Sequence, residues 1–159
     1  MKIPSFLKNF LRKKLFADKG KFVISTIHMD KLSAIRSMTA KLPRAITDYE
    51  LLNLYLFSEK TSLLEGDVAE VGVWKGCSAK VIGSVKGNRK LVLFDTFSGL
   101  PRPGIVDTRF HEGQFSDTSL DEVKRNMGAI PDVEYAQGIF PQTTVSLQNR
   151  PAQCAIVKL

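Results

Sequence analysis

Two carboxylates, Glu70 and Asp95, stand at or near the ends of apolar runs typical of buried strands. The carboxyl ends of neighbouring parallel strands meet at one edge of a doubly wound sheet, and such folds bind nucleotides at that edge. A carboxylate that ends the second strand has two acceptor oxygens, which suit both hydroxyls of a ribose. The two acids therefore predict a site for a nucleotide-type cofactor.

Glycines follow the first of these runs, so that Glu70, Gly72 and Gly76 form the pattern E-x-G-x-x-x-G. Gly72 lets the strand turn without a Cβ clash, and Gly76 lets the N-terminus of a following helix approach the strand and the ligand. An ordinary strand-to-helix turn has the same pattern, so the motif is weak by itself. A second strand that ends in Asp95 makes it more specific.

Glu70 narrows the choice of cofactor. A carboxylate beside the glycine turn repels the pyrophosphate of a dinucleotide but attracts the ammonium and sulfonium groups of S-adenosylmethionine. Unit charges about 4 Å apart interact by roughly 4 kcal/mol at an effective dielectric of about 20, before desolvation is subtracted. We therefore expect an S-adenosylmethionine-dependent methyltransferase. An NAD(P)-binding oxidoreductase is the alternative, although Val73 stands where its turn usually has a second glycine.

The elements that position these residues alternate along the chain. Thr47 and Glu50 form a capping box that opens a helix. The pattern then predicts strands over 67–73, 90–95, 132–136 and 153–158, and helices over 76–86, 119–128 and 141–149. This order indicates an α/β fold with a mostly parallel sheet and right-handed crossovers. We interpret it as the N-terminal half of a doubly wound, Rossmann-like methyltransferase sheet, preceded by an N-terminal helical segment.

A long connection, residues 96–118, follows the second predicted strand and is rich in glycine and proline. Connections of that length in compact domains are usually functional or disordered. We expect a lid over the cofactor or substrate, with His111 and Glu112 as its polar contacts, and a disordered excursion is the alternative. Ser119 is a plausible N-cap of the next helix, a role that competes with any cofactor contact.

The net charge of +7 is concentrated at the N-terminus, where residues 1–21 carry seven Lys or Arg residues against Asp18. The nearly neutral remainder argues against a nucleic-acid-binding domain. Residues 5–16 have the apolar spacing of a basic amphipathic helix. Its apolar stripe could dock on the domain or on a second subunit, which we favour, or could lie on an anionic membrane surface. In the latter case the chain would be a membrane-peripheral interaction protein, which is the alternative to an enzyme. We therefore divide the chain into a helix and linker, 1–46, and a cofactor-binding domain, 47–159.

Two cysteines, Cys77 and Cys154, have neither metal-ligand spacing nor a paired framework. They are typical of reduced thiols in a cytoplasmic protein. The sequence contains no transmembrane run, and charged residues interrupt every apolar stretch near the N-terminus, which argues against a secretory signal.

Four segments in order resemble the macrocin O-methyltransferase family of class I S-adenosylmethionine-dependent enzymes. They are GDVAEVGVWKG at 66–76, FDTFSGLP at 94–101, SLDEV at 119–123 and GIFPQT at 138–143. The resemblance implies cofactor contacts from Glu70, Gly72, Val73, Trp74, Lys75, Gly76, Cys77, Ser78, Asp95, Ser119, Gly138 and Ile139. One position departs from the family, because Cys77 stands where a second glycine is usual.

The same resemblance implies methylation of a hydroxyl, typically on a sugar, with magnesium held by carboxylates that follow the fourth strand. The sequence ends at Leu159, within that predicted strand. No metal ligand and no catalytic base can therefore be named. We expect an incomplete chain that binds cofactor weakly and does not turn over by itself. Without further strands, residues 154–157 would form an exposed apolar edge that invites aggregation or pairing with another chain. A homo-oligomer is a further expected arrangement.

Overall fold

A three-stranded parallel sheet with four α-helices forms the fold of the computed structural model, which describes residues 28–102 and 110–147. The elements are, in chain order, α1 Met29–Thr39, α2 Asp48–Lys60, β1 Val68–Val71, α3 Cys77–Val85, β2 Leu91–Asp95, α4 Leu120–Met127, β3 Val133–Gln137 and a 3₁₀ helix Gln142–Leu147. The α/β fold with a parallel sheet predicted from the sequence is thus confirmed.

The sheet has the order β1-β2-β3, so each strand pairs with the next one along the chain. Val71 of β1 is in register with Phe94, and Asp95 of β2 with Gln137. Two glycines extend the ladder beyond the strands: Gly72 N donates to Phe94 O and Gly138 N to Asp95 O, both at 2.9 Å. The carboxyl ends of all three strands consequently meet at one edge, as the sequence predicted.

The sheet is buried on both faces, which explains why β2 is a continuous apolar run. One cluster joins the strand residues Val68, Leu91 and Leu93 to residues of α3 and α4 such as Ile82 and Met127. The opposite face contributes Ala69, Val92 and Phe94. Since both faces are apolar at β2, this strand shows no alternating pattern.

Helices α1 and α2 pack against α3 through a separate cluster that includes Ile35, Leu51, Leu52 and Val81. The predicted capping box is confirmed: Glu50 N donates to Thr47 Oγ1 at 3.3 Å, and Thr47 N donates to Glu50 Oε2 at 2.6 Å. Helix α1 was not predicted. It buries only a short face, and its N-cap residue His28 makes no side-chain capping bond, so it has few sequence signals.

Two predicted elements differ in extent or type. The first strand is shorter than 67–73, because Gly72 has φ +82° and leaves the extended conformation. The helix predicted over 141–149 is the 3₁₀ helix Gln142–Leu147, whose Thr and Val residues are poor α-helix formers. The predicted helix 5–16 and strand 153–158 lie outside the described residues, and the division at residue 46 stays a prediction.

No helix in the described ranges is both long and apolar enough to cross a membrane.

Candidate functional site

A cavity of about 550 Å³ lies at the carboxyl edge of the sheet. Its walls come from the turn after β1, the ends of β2 and β3, the start of α3 and the segments on either side of residues 103–109. The lining residues are Ala45, Ile46, Val71, Gly72, Val73, Trp74, Cys77, Ser78, Phe94, Asp95, Thr96, Gly99, Leu100, Pro101, Phe110, Phe115, Gly138, Ile139 and Phe140. The cavity is therefore where the two carboxylates and the glycine turn predicted a ligand.

Asp95 ties the end of β2 to the turn after β1. Its Oδ2 accepts hydrogen bonds from Val73 N at 2.6 Å and Trp74 N at 2.9 Å, and its Oδ1 accepts one from Phe97 N at 2.7 Å. Thr96 Oγ1 also lies 3.4 Å from Oδ1. An ionised carboxylate has about four lone-pair sites, so most of its accepting capacity is already used. Asp95 also lines the cavity. It therefore holds the turn in place and also faces the cavity.

Glu70 lies beneath the cavity wall and is completely buried. Ser78 Oγ, in the first turn of α3, donates to Glu70 Oε1 at 2.5 Å. Ser78 lines the cavity, whereas Glu70 does not. Glu70 thus fixes the start of α3 relative to β1, and its direct contact with a ligand stays a prediction.

The two turn glycines have different roles. Gly72 has φ +82°, and a Cβ there would meet no atom within 4 Å, because the space beside it is open. Gly76, the N-cap of α3, has φ +81°, and its Cβ would lie 3.3 Å from Val123 Cγ1. Gly76 consequently allows α4 to pack closely against the turn and does not line the cavity.

Trp74 connects the turn to the segment that precedes α4. Its Nε1 donates to Asp117 Oδ1 at 2.9 Å, and its carbonyl oxygen accepts from Thr118 Oγ1 at 2.8 Å. Its ring packs edge to face with the Phe115 ring, with centroids 5.7 Å apart. Both residues line the cavity.

Lys75 points to the same segment and not to the cavity. Its Nζ lies 2.9 Å from Asp117 Oδ2 and 3.8 Å from Glu122 Oε1. The hydrogen bond to Asp117 raises the pKa of Lys75 above its ordinary value. Hydrogen bonds from Trp74 and Lys75 in turn hold the pKa of Asp117 below its ordinary value. Lys75 is therefore engaged by protein carboxylates.

Eight of the twelve predicted cofactor residues line the cavity, and four do not. The four are Glu70, Lys75, Gly76 and Ser119. Ser119 is the N-cap of α4, and its Oγ accepts from Glu122 N at 3.2 Å. A cofactor contact from Ser119 or Lys75 would need a rearrangement, so these assignments stay predictions.

The long connection 96–118 is held at its base. Leu100 N donates to Gln114 O at 2.8 Å, and Gly113 N donates to Leu100 O at 3.0 Å. His111 and Glu112 are exposed and do not line the cavity, whereas Phe110 and Phe115 do. Sequence reasoning selected the polar residues of this segment and missed its aromatic ones, because nothing local distinguishes a cavity phenylalanine from a core one.

No group of three or more His, Cys, Asp or Glu side chains in residues 28–102 and 110–147 could hold a metal ion.

A parallel sheet with a cavity at its carboxyl edge, an acid ending β2 and a glycine turn after β1 defines a Rossmann-like α/β domain. The crystal structure of CalS11, a calicheamicin methyltransferase, has a similar fold, with a TM-score of 0.51 and 18% sequence identity. The match covers 70% of this chain and 58% of that one. No curated protein sequence is a significant match.

The chain belongs to the macrocin-O-methyltransferase (TylF) family, which it matches over residues 55–159. This match confirms the resemblance to the family that the four sequence segments indicated. The matched range begins within α2 and includes β1 to β3 and the cavity residues that follow them.

Proposed function

We propose that the cavity binds S-adenosylmethionine and that the chain is the cofactor-binding part of an O-methyltransferase for a small-molecule hydroxyl, such as that of a sugar. Family membership supports the reaction class. The cofactor assignment rests mainly on one observation: Asp95, Gly72 and Gly138 all line the same cavity, and the space beside Gly72 is open. A volume of about 550 Å³ lies within the roughly 300–1,000 Å³ usual for cofactor pockets.

The residues present fit this cofactor. Asp95 lines the cavity, where a ribose hydroxyl would replace the 3.4 Å contact from Thr96 Oγ1 to Asp95 Oδ1. Phe94, Ile139 and Phe140 supply an apolar wall suited to a purine. Phe94 and Phe140 meet edge to face with centroids 5.4 Å apart. The buried Glu70 places a carboxylate behind Ser78, where it favours a cation in the cavity.

When bound, the cofactor supplies a methyl group to an oxygen nucleophile in an in-line transfer. The chain's own contribution is to orient the donor and exclude water, which is how positioning accelerates such reactions. A magnesium ion belongs to the proposal only through the family resemblance. The described side chains do not form a site for it, so we derive no step through the metal.

An oxidoreductase that binds a dinucleotide has less support, since Val73 replaces the second glycine of its turn. Peripheral membrane contact through residues 5–16, a cytoplasmic location and a homo-oligomer stay predictions.

Calorimetric titration of the chain with S-adenosylhomocysteine tests the proposal. We expect saturable binding, and no binding of NAD⁺ at the same concentrations. Asp95→Asn should weaken binding about 10- to 100-fold, the range for a hydrogen bond to a charged group. Asp121→Asn, which changes an exposed acid of α4 outside the cavity, is the matched control and should bind normally.

Circular dichroism establishes that each variant is folded before titration. A folded wild-type chain that does not bind S-adenosylhomocysteine would refute the proposed cofactor, and preferential NAD⁺ binding would support the oxidoreductase.

A further inference from the structure

Trp74 has a backbone conformation that a bulky residue rarely adopts. Its φ is +47°, in the left-handed region. Such conformations are unfavourable for residues other than glycine and persist where the surroundings impose them, often at functional sites. The contacts of Trp74 should therefore identify what imposes the conformation.

Those contacts come from two directions. From the sheet, Asp95 Oδ2 accepts from Trp74 N at 2.9 Å. From the segment before α4, Asp117 Oδ1 accepts from the indole Nε1 at 2.9 Å, and Thr118 Oγ1 donates to the backbone carbonyl at 2.8 Å. The backbone and the side chain of Trp74 are thus fixed separately, the side chain by Asp117.

Asp117 also determines where an aromatic wall of the cavity stands. The Trp74 ring that it anchors packs edge to face with the Phe115 ring, and both residues line the cavity. Lys75 Nζ approaches the other Asp117 oxygen at 2.9 Å and lies 5.4 Å from the centroid of the Trp74 ring. One carboxylate therefore joins the turn after β1 to the segment carrying Phe115.

We infer that Asp117 is a positioning residue, which holds the Trp74 indole and the Phe115 ring against the bound cofactor without touching it. This inference rests on the proposed function of the cavity. A ligand that contacts both rings favours the arrangement in which Asp117 accepts the indole N–H, so cofactor binding and this hydrogen bond stabilise each other.

Asp117 positions Trp74 through its oxygen as a hydrogen-bond acceptor and not through its negative charge. The Asp117 side chain is 65% exposed, and exposed ion pairs contribute little. Asp117→Asn keeps an oxygen acceptor for the indole but removes the ion pair with Lys75. Asp117→Ala removes both interactions, and Lys75→Gln removes only the ion pair.

The test uses S-adenosylhomocysteine as the probe and the emission of Trp74, the single tryptophan of the chain, as the reporter. Calorimetry gives the affinities. We expect Asp117→Ala to weaken binding roughly tenfold, near the upper end of what one ordinary hydrogen bond contributes, and to shift the emission of the free chain to longer wavelength. Asp117→Asn and Lys75→Gln should remain within about threefold of wild type.

Wild-type affinity in Asp117→Ala would overturn the inference, and so would an equal loss in Asp117→Asn, since that would assign the effect to charge. Trp74→Phe removes the other partner of the hydrogen bond, the indole N–H donor. In that background Asp117→Ala should have no further effect on affinity, and a further loss would contradict the pairing. This comparison also decides the matter if Asp117→Ala alone folds poorly.

Failure of the proposed cofactor binding would give a different experimental result from failure of the positioning role. If the wild-type chain does not bind S-adenosylhomocysteine, the emission and acrylamide quenching of the free chain still report the position of Trp74. An unchanged spectrum in Asp117→Ala would then refute the positioning role independently.

Discussion

Ser78 Oγ lies 2.5 Å from Glu70 Oε1, so the first turn of α3 donates a hydrogen bond to a carboxylate that is completely buried in β1. The bond crosses the glycine turn and connects its two ends. It gives the E-x-G-x-x-x-G pattern a structural role that does not depend on any ligand.

Ser78→Ala should lower the free energy of unfolding by about 1–3 kcal/mol, because a buried acceptor loses a donor. Ser84→Ala is the matched control on the same helix, where Ser84 Oγ only donates to Val81 O at 2.7 Å. Urea unfolding of both variants measures the difference. Equal destabilisation would mean that the Ser78–Glu70 hydrogen bond contributes no more to the free energy of unfolding than the Ser84–Val81 bond does.

Ser119 distinguishes a helix cap from a cofactor ligand. Ser119→Ala should reduce stability by about 1 kcal/mol through loss of the cap, and Ser119→Asp should retain most of it, since Asp is an equally good N-cap. Both variants should bind S-adenosylhomocysteine as wild type does. Weak binding by the stable Ser119→Asp variant would instead support the cofactor contact predicted from the sequence.

A side chain at Gly99 should disrupt the base of the connection 96–118. A Cβ there would lie 2.9 Å from the Cα of Ser116, a backbone atom that cannot turn aside. Gly113 has a similarly positive φ, +79° against +103°, but its Cβ would meet nothing within 4 Å. Gly99→Ala should therefore weaken S-adenosylhomocysteine binding and speed proteolysis of the connection, whereas Gly113→Ala carries only backbone strain of about 1–2 kcal/mol.

Limited proteolysis and calorimetry on the two glycine variants make the comparison. Similar behaviour of both would attribute the effect to the left-handed backbone and not to the contact with Ser116.

Lys86 should make the free energy of unfolding depend on pH in the alkaline range. Its side chain is almost completely buried, and burial lowers its pKa from the ordinary value of 10.5. Between the folded pKa and 10.5 the unfolded chain binds more protons than the folded one, so the free energy of unfolding rises with pH in that window. Lys86→Met should lack this rise.

The check is the difference in free energy of unfolding between wild type and Lys86→Met, measured in urea at neutral pH and near pH 10. Because Lys75 and other groups titrate in both proteins, the difference isolates Lys86. A difference that does not change with pH would contradict the prediction.

Local patterns were enough to predict the elements that position the site. The apolar run ending in Asp95 and the Thr47–Glu50 capping box depend on residues close in sequence, and both are present as predicted. Helix α1 lacked such signals.

The contacts around Trp74 could not be predicted in the same way. Asp117 and Trp74 are 43 positions apart, and only the fold brings the indole to the carboxylate. The burial of Glu70 beneath Ser78 is likewise a property of packing, since the sequence shows a carboxylate but not the direction it faces.

The connection between β2 and α4 is closed at its base by the contact of Gly99 with Ser116 and by the paired backbones of Leu100, Gly113 and Gln114. Strand register is set separately, by the pairing of Leu91 with Val133. Doubling the length of a flexible connection costs only about 0.6 kcal/mol in closure entropy. Insertions beyond that base should consequently leave the sheet nearly as stable.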